Sequence, residues 1–322
     1  MRDHGGNLDA AIARFGGAPE DWIDLSTGIN RLPYPLPHAP DAALRDLPRA
    51  GDVAACAAAA RVAYGADVRA ACLPLAGAQA AIRIVPALRR AGRAGILGPT
   101  YNEHAAAFRA TGWQVHEVDD LASLAGFDAV VVVNPNNPDG RRWLPDAILR
   151  LARRNGLVVV DESFADVDPA VSICPGLPRP GVLVLRSFGK FHGLAGLRLG
   201  FVLGTAADAA RLAELAGPWP VSGPALAAGR LALADTGWRA ATLARLARDA
   251  ARLDAIAARA GWTLVGGTGL FRLYETGDAA ASQSRLALHR IWSRIFPWSR
   301  GWLRLGLPGP ESEWTAVIAA LL

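Results

Sequence analysis

The chain has 322 residues, 52% of them hydrophobic and 20% charged, which is typical of globular proteins and excludes a disordered or fibrous class. Its formal net charge is +5 and its pI about 9.6, but the arginines form no long basic run, so a nucleic-acid surface is not expected. There is no apolar leader at the amino terminus and no run approaching 18 apolar residues, so neither export nor membrane insertion is indicated.

The first part of the chain is rich in glycine and proline. The run RLPYPLPHAP excludes a helix or a central strand, so residues 1–38 are expected to form an extended arm. Residues 41–64 predict helices that end at Gly65.

From residue 71 onward, short apolar strands alternate with amphipathic helices. This alternation predicts a mostly parallel α/β sheet covered on both faces. Ligands of such sheets bind beyond the carboxyl ends of the strands. The predicted strands lie in ACLPLAG (71–77), AGILGPT (94–100), DAVVVV (128–133), LVVVDES (157–163) and GVLVLRS (181–187).

The last third of the chain predicts a smaller unit. A long helical stretch covers roughly 224–260, strands follow in WTLVGGTGLFRLYE and WLRLGLPG, and the helix ESEWTAVIAALL closes the chain. We expect an amino-terminal arm contributing to the small domain (1–40), a large α/β domain (41–217), and a bridging helix with the small domain (218–322).

Polar residues follow several of the predicted strands. They are Gly77–Gln79, Asn134–Asn137, Asp161 and Ser187–Lys190. Lys190 is the single lysine of a chain that carries 33 arginines. A lysine at a strand end can be an imine-forming nucleophile, a phosphate ligand or a solvated charge. Asp161 can be a metal ligand, a general base or the partner of a protonated ring nitrogen, and the residues alone leave these alternatives open.

Together these motifs resemble the class I/II aminotransferase family of fold-type I enzymes, which use pyridoxal 5'-phosphate. The resemblance covers nearly the whole chain. It implies a large domain with a mostly parallel seven-stranded sheet, a smaller α+β domain, and a homodimer with its sites at the interface.

The resemblance implies a role for each cofactor residue. Lys190 would bind the cofactor covalently, Asp161 would pair with the ring nitrogen, and Asn137, in NPDG where the family usually has NPTG, would bind the ring's phenolic oxygen. Ser187 and Arg198 would bind the cofactor phosphate.

Two further motifs complete the implied cofactor site. Tyr101, in GPTYNEH, would stack on the ring, and the motif AGAQ, with Gly77, Ala78 and Gln79, would offer backbone N–H groups to the phosphate. The solitary lysine is then explained, because arginine stays protonated above a pKa of about 12 and cannot readily form an imine.

Three details resemble one branch of the family, the threonine-phosphate decarboxylases of cobalamin biosynthesis. They are Phe164, at a position where aminotransferases commonly have tyrosine, the loop HGGN, and the segment GWLRLGLPG. The expected reaction converts L-threonine O-3-phosphate to (R)-1-aminopropan-2-ol O-phosphate, and the anion-binding residues would decide whether CO₂ or a proton leaves Cα. The expected substrate-binding residues are His4, Gly6, Asn7, Asn30, Arg294 and Arg304.

Alternatives remain at this point. An aminotransferase of the histidinol-phosphate type would share every cofactor residue, and a non-catalytic amine sensor or a scaffold without cofactor would share the fold. A lone arginine such as Arg294 is usually part of a helix face. The family's cross-dimer tyrosine aligns with Leu47, so that contact is lost or is supplied by Tyr34 or Tyr64.

The expected setting follows from composition. Three cysteines without a CxxC pair favour a reducing compartment and disfavour a disulfide framework or a zinc site. We therefore expect a cytoplasmic enzyme that acts on a small phosphorylated amino acid, with no metal, no nucleic acid and no membrane partner.

Overall fold

The computed structural model describes residues 4–37 and 41–322. The helices are α1 (Leu8–Phe15), α2 (Asp41–Arg45), α3 (Ala50–Ala63), α4 (Ala78–Ile84), α5 (Glu103–Ala110), α6 (Pro145–Leu151), α7 (Phe188–Phe191), α8 (Ala206–Ala216), α9 (Gly223–Ala234), α10 (Thr236–Arg259), α11 (Ala279–Leu288) and α12 (Glu311–Leu321). The strands are β1 (Ile23–Asp24), β2 (Ala71–Leu75), β3 (Arg93–Leu97), β4 (Gln114–Val118), β5 (Ala129–Val133), β6 (Leu157–Asp161), β7 (Val182–Ser187), β8 (Gly200–Gly204), β9 (Thr263–Thr268), β10 (Phe271–Glu275), β11 (Ile291–Trp292), β12 (Arg294–Phe296) and β13 (Ser299–Gly306).

The chain forms two compact units. The sheet unit comprises Tyr34–Asn137 and Arg141–Thr236, and the terminal unit comprises the chain up to Pro33, Pro138–Gly140 and Gly237–Leu322. The domain limits expected after residues 40 and 217 stay a prediction. Within the described residues, no helix is long and apolar enough to cross a membrane.

The sheet unit contains a seven-stranded sheet with the order β2-β8-β7-β6-β5-β3-β4. β8 is antiparallel to both of its neighbours, whereas the other adjacent strands run parallel. The prediction of a mostly parallel α/β sheet is therefore confirmed.

Hydrophobic side chains cover both faces of this sheet. In β5, Val130 and Val132 belong to one core cluster, while Ala129 and Val131 belong to the other. Successive residues of a strand point to opposite faces, so a strand between two cores must be apolar at every position. This requirement explains the uninterrupted run AVVVV.

The register aligns the carboxyl ends of the central strands. Val133 is opposite Asp161, and Asp161 is opposite Leu185. The N–H group of Asn134 donates to the carbonyl of Asp161 at 2.8 Å. The residues that follow β5, β6 and β7 therefore begin at one edge of the sheet.

The expected extended arm is wrong at residues 8–15, which form α1. The side chain of Asn7 accepts from the N–H group of Ala10 at 3.3 Å and caps the helix, which ends at Gly16. The predicted long helix at 224–260 is in fact two helices, α9 and α10, that separate at Asp235.

The terminal unit is built on an antiparallel sheet with the order β12-β13-β10-β9, and a parallel pair joins β1 to β11. Asp254 of α10 ties that helix to β10, since it accepts from Arg272 at 2.7 Å and from the Tyr274 hydroxyl at 2.8 Å. The expected smaller α+β part is thus present.

The cysteines give a test of the fold. Burial raises the pKa of Cys56 to about 12 and raises the pKa values of Cys72 and Cys174 as well. The thiolate is the reactive form, and for Cys56 it is about 1 part in 10⁴ at pH 8. We expect a disulfide-exchange reagent to label no cysteine of the native protein quickly and all three after denaturation. Rapid labelling of the native protein would contradict this packing.

Candidate active site

Lys190 lies one turn beyond the carboxyl end of β7. Ser187 ends that strand and is the N-cap residue of α7, the short helix that contains the lysine. The side-chain nitrogen of Lys190 lies 4.9 Å from the centre of the Phe164 ring. Lys190 is half-buried, and its amine therefore lies beside the Phe164 ring.

Asp161 is the last residue of β6 and is buried. Its carboxylate accepts from His104 Nε2 at 2.8 Å and from the N–H group of Ser163 at 2.9 Å. Burial alone would raise the pKa of Asp161, but these hydrogen bonds and the attraction of His104 outweigh burial and leave it below its ordinary value. The site therefore holds a buried carboxylate in its charged form.

The expected phosphate-binding residues lie near the corner where β2, β8 and β7 meet, because Gly200 of β8 is opposite both Leu75 and Ser187. Gly77, with φ +80°, precedes α4, and a Cβ there would lie 2.9 Å from the Arg198 guanidinium. Arg198 itself has φ 53°, which is uncommon for a residue with a side chain. Such strain is characteristic of functional sites.

Asn137 follows β5 and is buried, and its two neighbouring asparagines build the turn. Asn134 donates to the carbonyls of Trp143 and Val171, and Asn136 donates to the carbonyl of Pro99. The motif NPNN thus uses its first two asparagines to fix the backbone from which Asn137 extends.

Tyr101 follows β3 and is half-buried. Its hydroxyl donates to Gln79 Oε1 at 3.2 Å, and Gln79 Nε2 donates to Glu103 at 2.9 Å. Glu103 is the first residue of α5 and is buried. Sequence reasoning did not single out Glu103, although it stands two positions after the tyrosine.

The order of these groups along the sheet edge decides which ligand fits. The corner with Gly77, Ser187 and Arg198 comes first, then Lys190 after β7, Asp161 at β6, and Asn137 and Tyr101 beyond β5 and β3. Pyridoxal phosphate needs an anion site for its phosphate, an amine for its aldehyde, a carboxylate for its ring nitrogen and an aromatic neighbour. The residues present fit this cofactor in that order.

Two buried arginines face each other in the terminal unit. Arg294 of β12 is opposite Arg304 of β13 in the antiparallel register. Each guanidinium lies 5.0 Å from the centre of a phenylalanine ring, and Arg304 also donates to the carbonyl of Ser26 at 2.7 Å. Arg294 thus lies in a strand, and its interpretation as part of a helix face is wrong.

The HGGN loop lies against Ser26. The N–H group of Gly6 donates to the Ser26 hydroxyl at 2.7 Å, and a Cβ at Gly5 would come within 2.3 Å of the Ser26 carbonyl oxygen. The loop therefore packs on the residue whose carbonyl binds Arg304. His4 is exposed, whereas Asn7 uses its side-chain oxygen as the cap of α1.

Asn30 is buried, and its side-chain oxygen accepts from Arg245 at 2.7 Å and from the N–H group of Leu32 at 3.1 Å. The next residue, Arg31, forms a two-point ion pair with Glu313, which links the arm to α12.

Sequence reasoning missed His104 and a charged cluster behind the sheet edge. His104 was detectable as the third residue after Tyr101 in YNEH, on the first turn of α5. In the cluster, fully buried Arg186 lies 2.8 Å from Glu162 and 3.1 Å from Asp166.

Tyr64 packs its ring 4.0 Å from the Arg186 guanidinium, and its hydroxyl is buried. It therefore cannot supply a hydroxyl to another subunit. Tyr34, the other tyrosine considered, donates its hydroxyl to Asp235 at 3.2 Å. Across residues 4–37 and 41–322, no three or more His, Cys, Asp or Glu residues cluster as a metal site would require.

Two known proteins are similar to this chain over nearly its whole length. A threonine-phosphate decarboxylase of Pseudomonas aeruginosa is 44% identical over 100% of this chain and 98% of its own length. One from a Sinorhizobium species is also 44% identical, over 94% of this chain and 92% of its own length.

Solved structures show the same fold. A histidinol-phosphate aminotransferase from Sinorhizobium meliloti, solved in complex with pyridoxal-5'-phosphate, superimposes with a TM-score of 0.80 at 21% identity, covering 100% of this chain and 94% of its own. The family described as aminotransferase class I and II matches residues 21–321. Because this family matches most of the chain and two relatives are 44% identical to it, the chain belongs to the aminotransferase class I and II family.

Proposed function

We propose that this protein is a pyridoxal phosphate-dependent decarboxylase that converts L-threonine O-3-phosphate to (R)-1-aminopropan-2-ol O-phosphate and CO₂, a reaction of cobalamin biosynthesis. The observation that carries the proposal is the 44% identity, over nearly full length, to two proteins named threonine-phosphate decarboxylase. The geometry of both units supports it.

The sheet-unit residues hold the cofactor in this proposal. Lys190 binds its aldehyde carbon, Asp161 pairs with its ring nitrogen, and Asn137 donates to its phenolic oxygen. Tyr101 lies against the ring. The phosphate is held by Ser187, Arg198 and the backbone of Gly77, Ala78 and Gln79, which begins α4.

The reaction then depends on the negative charge beside the ring nitrogen and on the proton that is added to Cα. When bound, pyridoxal phosphate supplies a sink for the electron pair left at Cα. The bond between Cα and the carboxylate breaks, CO₂ leaves, and a proton is added to Cα. Lys190 is placed to move that proton, while Asp161 keeps a negative charge beside the ring nitrogen.

Arg294 and Arg304 support a substrate that carries two anionic groups. Each guanidinium is a buried cation with donors arranged for a carboxylate or a phosphate, and the antiparallel register places the two residues side by side. We assign these anions to the two arginines, with His4, Gly6, Asn7 and Asn30 as further contacts. Holding the carboxylate directs which bond at Cα breaks.

The decisive experiment compares two substrates by mass spectrometry. The purified, cofactor-supplied protein is incubated with L-threonine O-3-phosphate alone, or with histidinol phosphate and 2-oxoglutarate. We expect CO₂ and aminopropanol phosphate from the first mixture. Stoichiometric glutamate from the second mixture, with no aminopropanol phosphate from the first, would replace this proposal by the aminotransferase alternative.

The arginine pair gives a second test. Arg304→Met and Arg294→Met are each expected to lower kcat/KM at least about 100-fold, because truncating a buried charged partner is costly. Arg300→Met is the matched control, since Arg300 is an exposed residue of the same strand, β13. Steady-state kinetics of the three variants check this, and equal losses in all three would contradict the assignment.

We also propose a cytoplasmic homodimer. The family resemblance implies two subunits, and Leu44 and Leu47 of the sheet unit, which are 70% and 64% exposed, are apolar side chains that a second subunit could cover. Sedimentation or light scattering measures the subunit number, and a monomer at micromolar concentration would contradict the homodimer.

A further inference from the structure

A chain of side chains lies behind Tyr101. The tyrosine hydroxyl donates to Gln79 Oε1, and the Gln79 amide nitrogen donates in turn to Glu103 Oε2. Gln79 stands in the first turn of α4, and Glu103 begins α5. The Gln79 side-chain amide thus links the first turns of α4 and α5 to the hydroxyl of Tyr101.

The chemistry of the three groups fixes the direction of these hydrogen bonds. A carboxylate can only accept, so the Gln79 side chain must turn its NH₂ group toward Glu103. Its oxygen then faces Tyr101, and the tyrosine must donate. The single hydroxyl proton of Tyr101 is committed to Gln79 and is not directed at a substrate.

Glu103 is a buried carboxylate in the first turn of α5. A negative charge in the first turn of a helix is favourable, so α5 stabilises a carboxylate at this position. Glu103 is only 9% exposed, and a buried carboxylate needs partners to offset its lost hydration. The hydrogen bond that Glu103 accepts from Gln79 therefore helps to stabilise the buried carboxylate.

We propose that Glu103 is a positioning residue, which acts through Gln79 to fix the orientation of the Tyr101 ring at the cofactor. This inference rests on the proposed function, since it assumes that Tyr101 lies against a bound pyridoxal phosphate. Tyr101 then serves as an oriented aromatic surface, and its hydroxyl serves as the anchor of that surface.

The test is a double-mutant cycle with cofactor binding as its readout. Pyridoxal phosphate is titrated into apo Glu103→Leu, Tyr101→Phe and the double variant, and its Kd is followed by tryptophan fluorescence and visible circular dichroism. We expect Glu103→Leu to raise the Kd about tenfold, as for a lost hydrogen bond to a charged group, and to diminish the dichroism of the bound cofactor. In the Tyr101→Phe background the same change should add nothing.

Two further variants separate positioning from stability. Glu103→Gln keeps an oxygen that accepts from Gln79 and should restore most of the affinity and the dichroism. Glu117→Leu removes an exposed glutamate of β4 that pairs with Arg109, and it should leave both readouts unchanged.

Additive losses in the cycle, or failure of Glu103→Gln to restore the dichroism, would overturn the positioning role while leaving the proposed function intact. No cofactor binding by the unaltered protein would overturn both.

Discussion

Replacing Lys190 by arginine is expected to lower kcat/KM by at least about 10⁴-fold, because both covalent attachment and proton transfer require an amine. The protein should still fold, since Lys190 is only half-buried and arginine has a similar length and charge. Turnover is measured with L-threonine O-3-phosphate, and folding by circular dichroism.

Because Lys190 is the single lysine of the chain, a control variant can move that lysine to another position without changing the composition. Arg153 is exposed in the turn that follows α6, so Lys190→Arg combined with Arg153→Lys restores the native composition with the amine in the wrong place. Borohydride reduction followed by peptide mass spectrometry should attach the cofactor to Lys190 in the unaltered protein and to neither variant. Activity in either variant would contradict the assignment of Lys190.

Asp161→Asn is expected to lower kcat about 1,000-fold, because a neutral amide no longer stabilises positive charge on the ring nitrogen. Cofactor binding should weaken by about 10- to 100-fold through loss of a charge-assisted hydrogen bond. Asp168→Asn is the matched control, since Asp168 forms a surface ion pair with Arg142 at 2.9 Å. Unchanged kinetics in Asp161→Asn would remove it from the site.

The pH dependence of Asp161 has a definite sign. Its folded-state pKa lies below the ordinary value of 3.8, so the carboxylate contributes stability above that pH and loses it as the pH falls through the folded-state pKa. Thermal unfolding of the unaltered protein and of Asp161→Asn should therefore differ from pH 5 to 8, and the difference should shrink in acid. A difference that grows in acid would contradict the lowered pKa.

The central strands of the sheet were predictable from sequence because their burial on both faces requires local runs of apolar residues. β5 and β6 are uninterrupted apolar runs, as strands between two cores must be, and each ends in polar residues. β4 was missed because its sequence, QVHEV, belongs to a mostly exposed edge strand and carries no apolar run. β8, with the sequence GFVLG, is a buried apolar run that the sequence analysis overlooked, and its antiparallel position between β2 and β7 is a property of the whole sheet.

The site was predictable where one residue type carries the chemistry, and less so where distant partners do. Lys190 stood out as the only lysine, and Asp161 followed from its strand. His104 could not be paired with Asp161 from sequence, because the two residues are 57 positions apart and meet only through the order of β3, β5 and β6. The pairing of Arg294 with Arg304 likewise depends on a strand register that no local pattern encodes.

The cluster of Arg186, Glu162 and Asp166 affects how mutagenesis of this protein should be interpreted. Arg186 immediately precedes Ser187, and Glu162 immediately follows Asp161, so a scan of either motif will include them. Removing Arg186 leaves two buried carboxylates without their cation, at a cost of about 3–5 kcal/mol, and removing Glu162 also takes away the acceptor of the Ser172 hydroxyl and the Ile173 N–H group. Such variants will lose yield and turnover together, and only rates normalised to the correctly folded fraction will separate scaffold damage from chemistry.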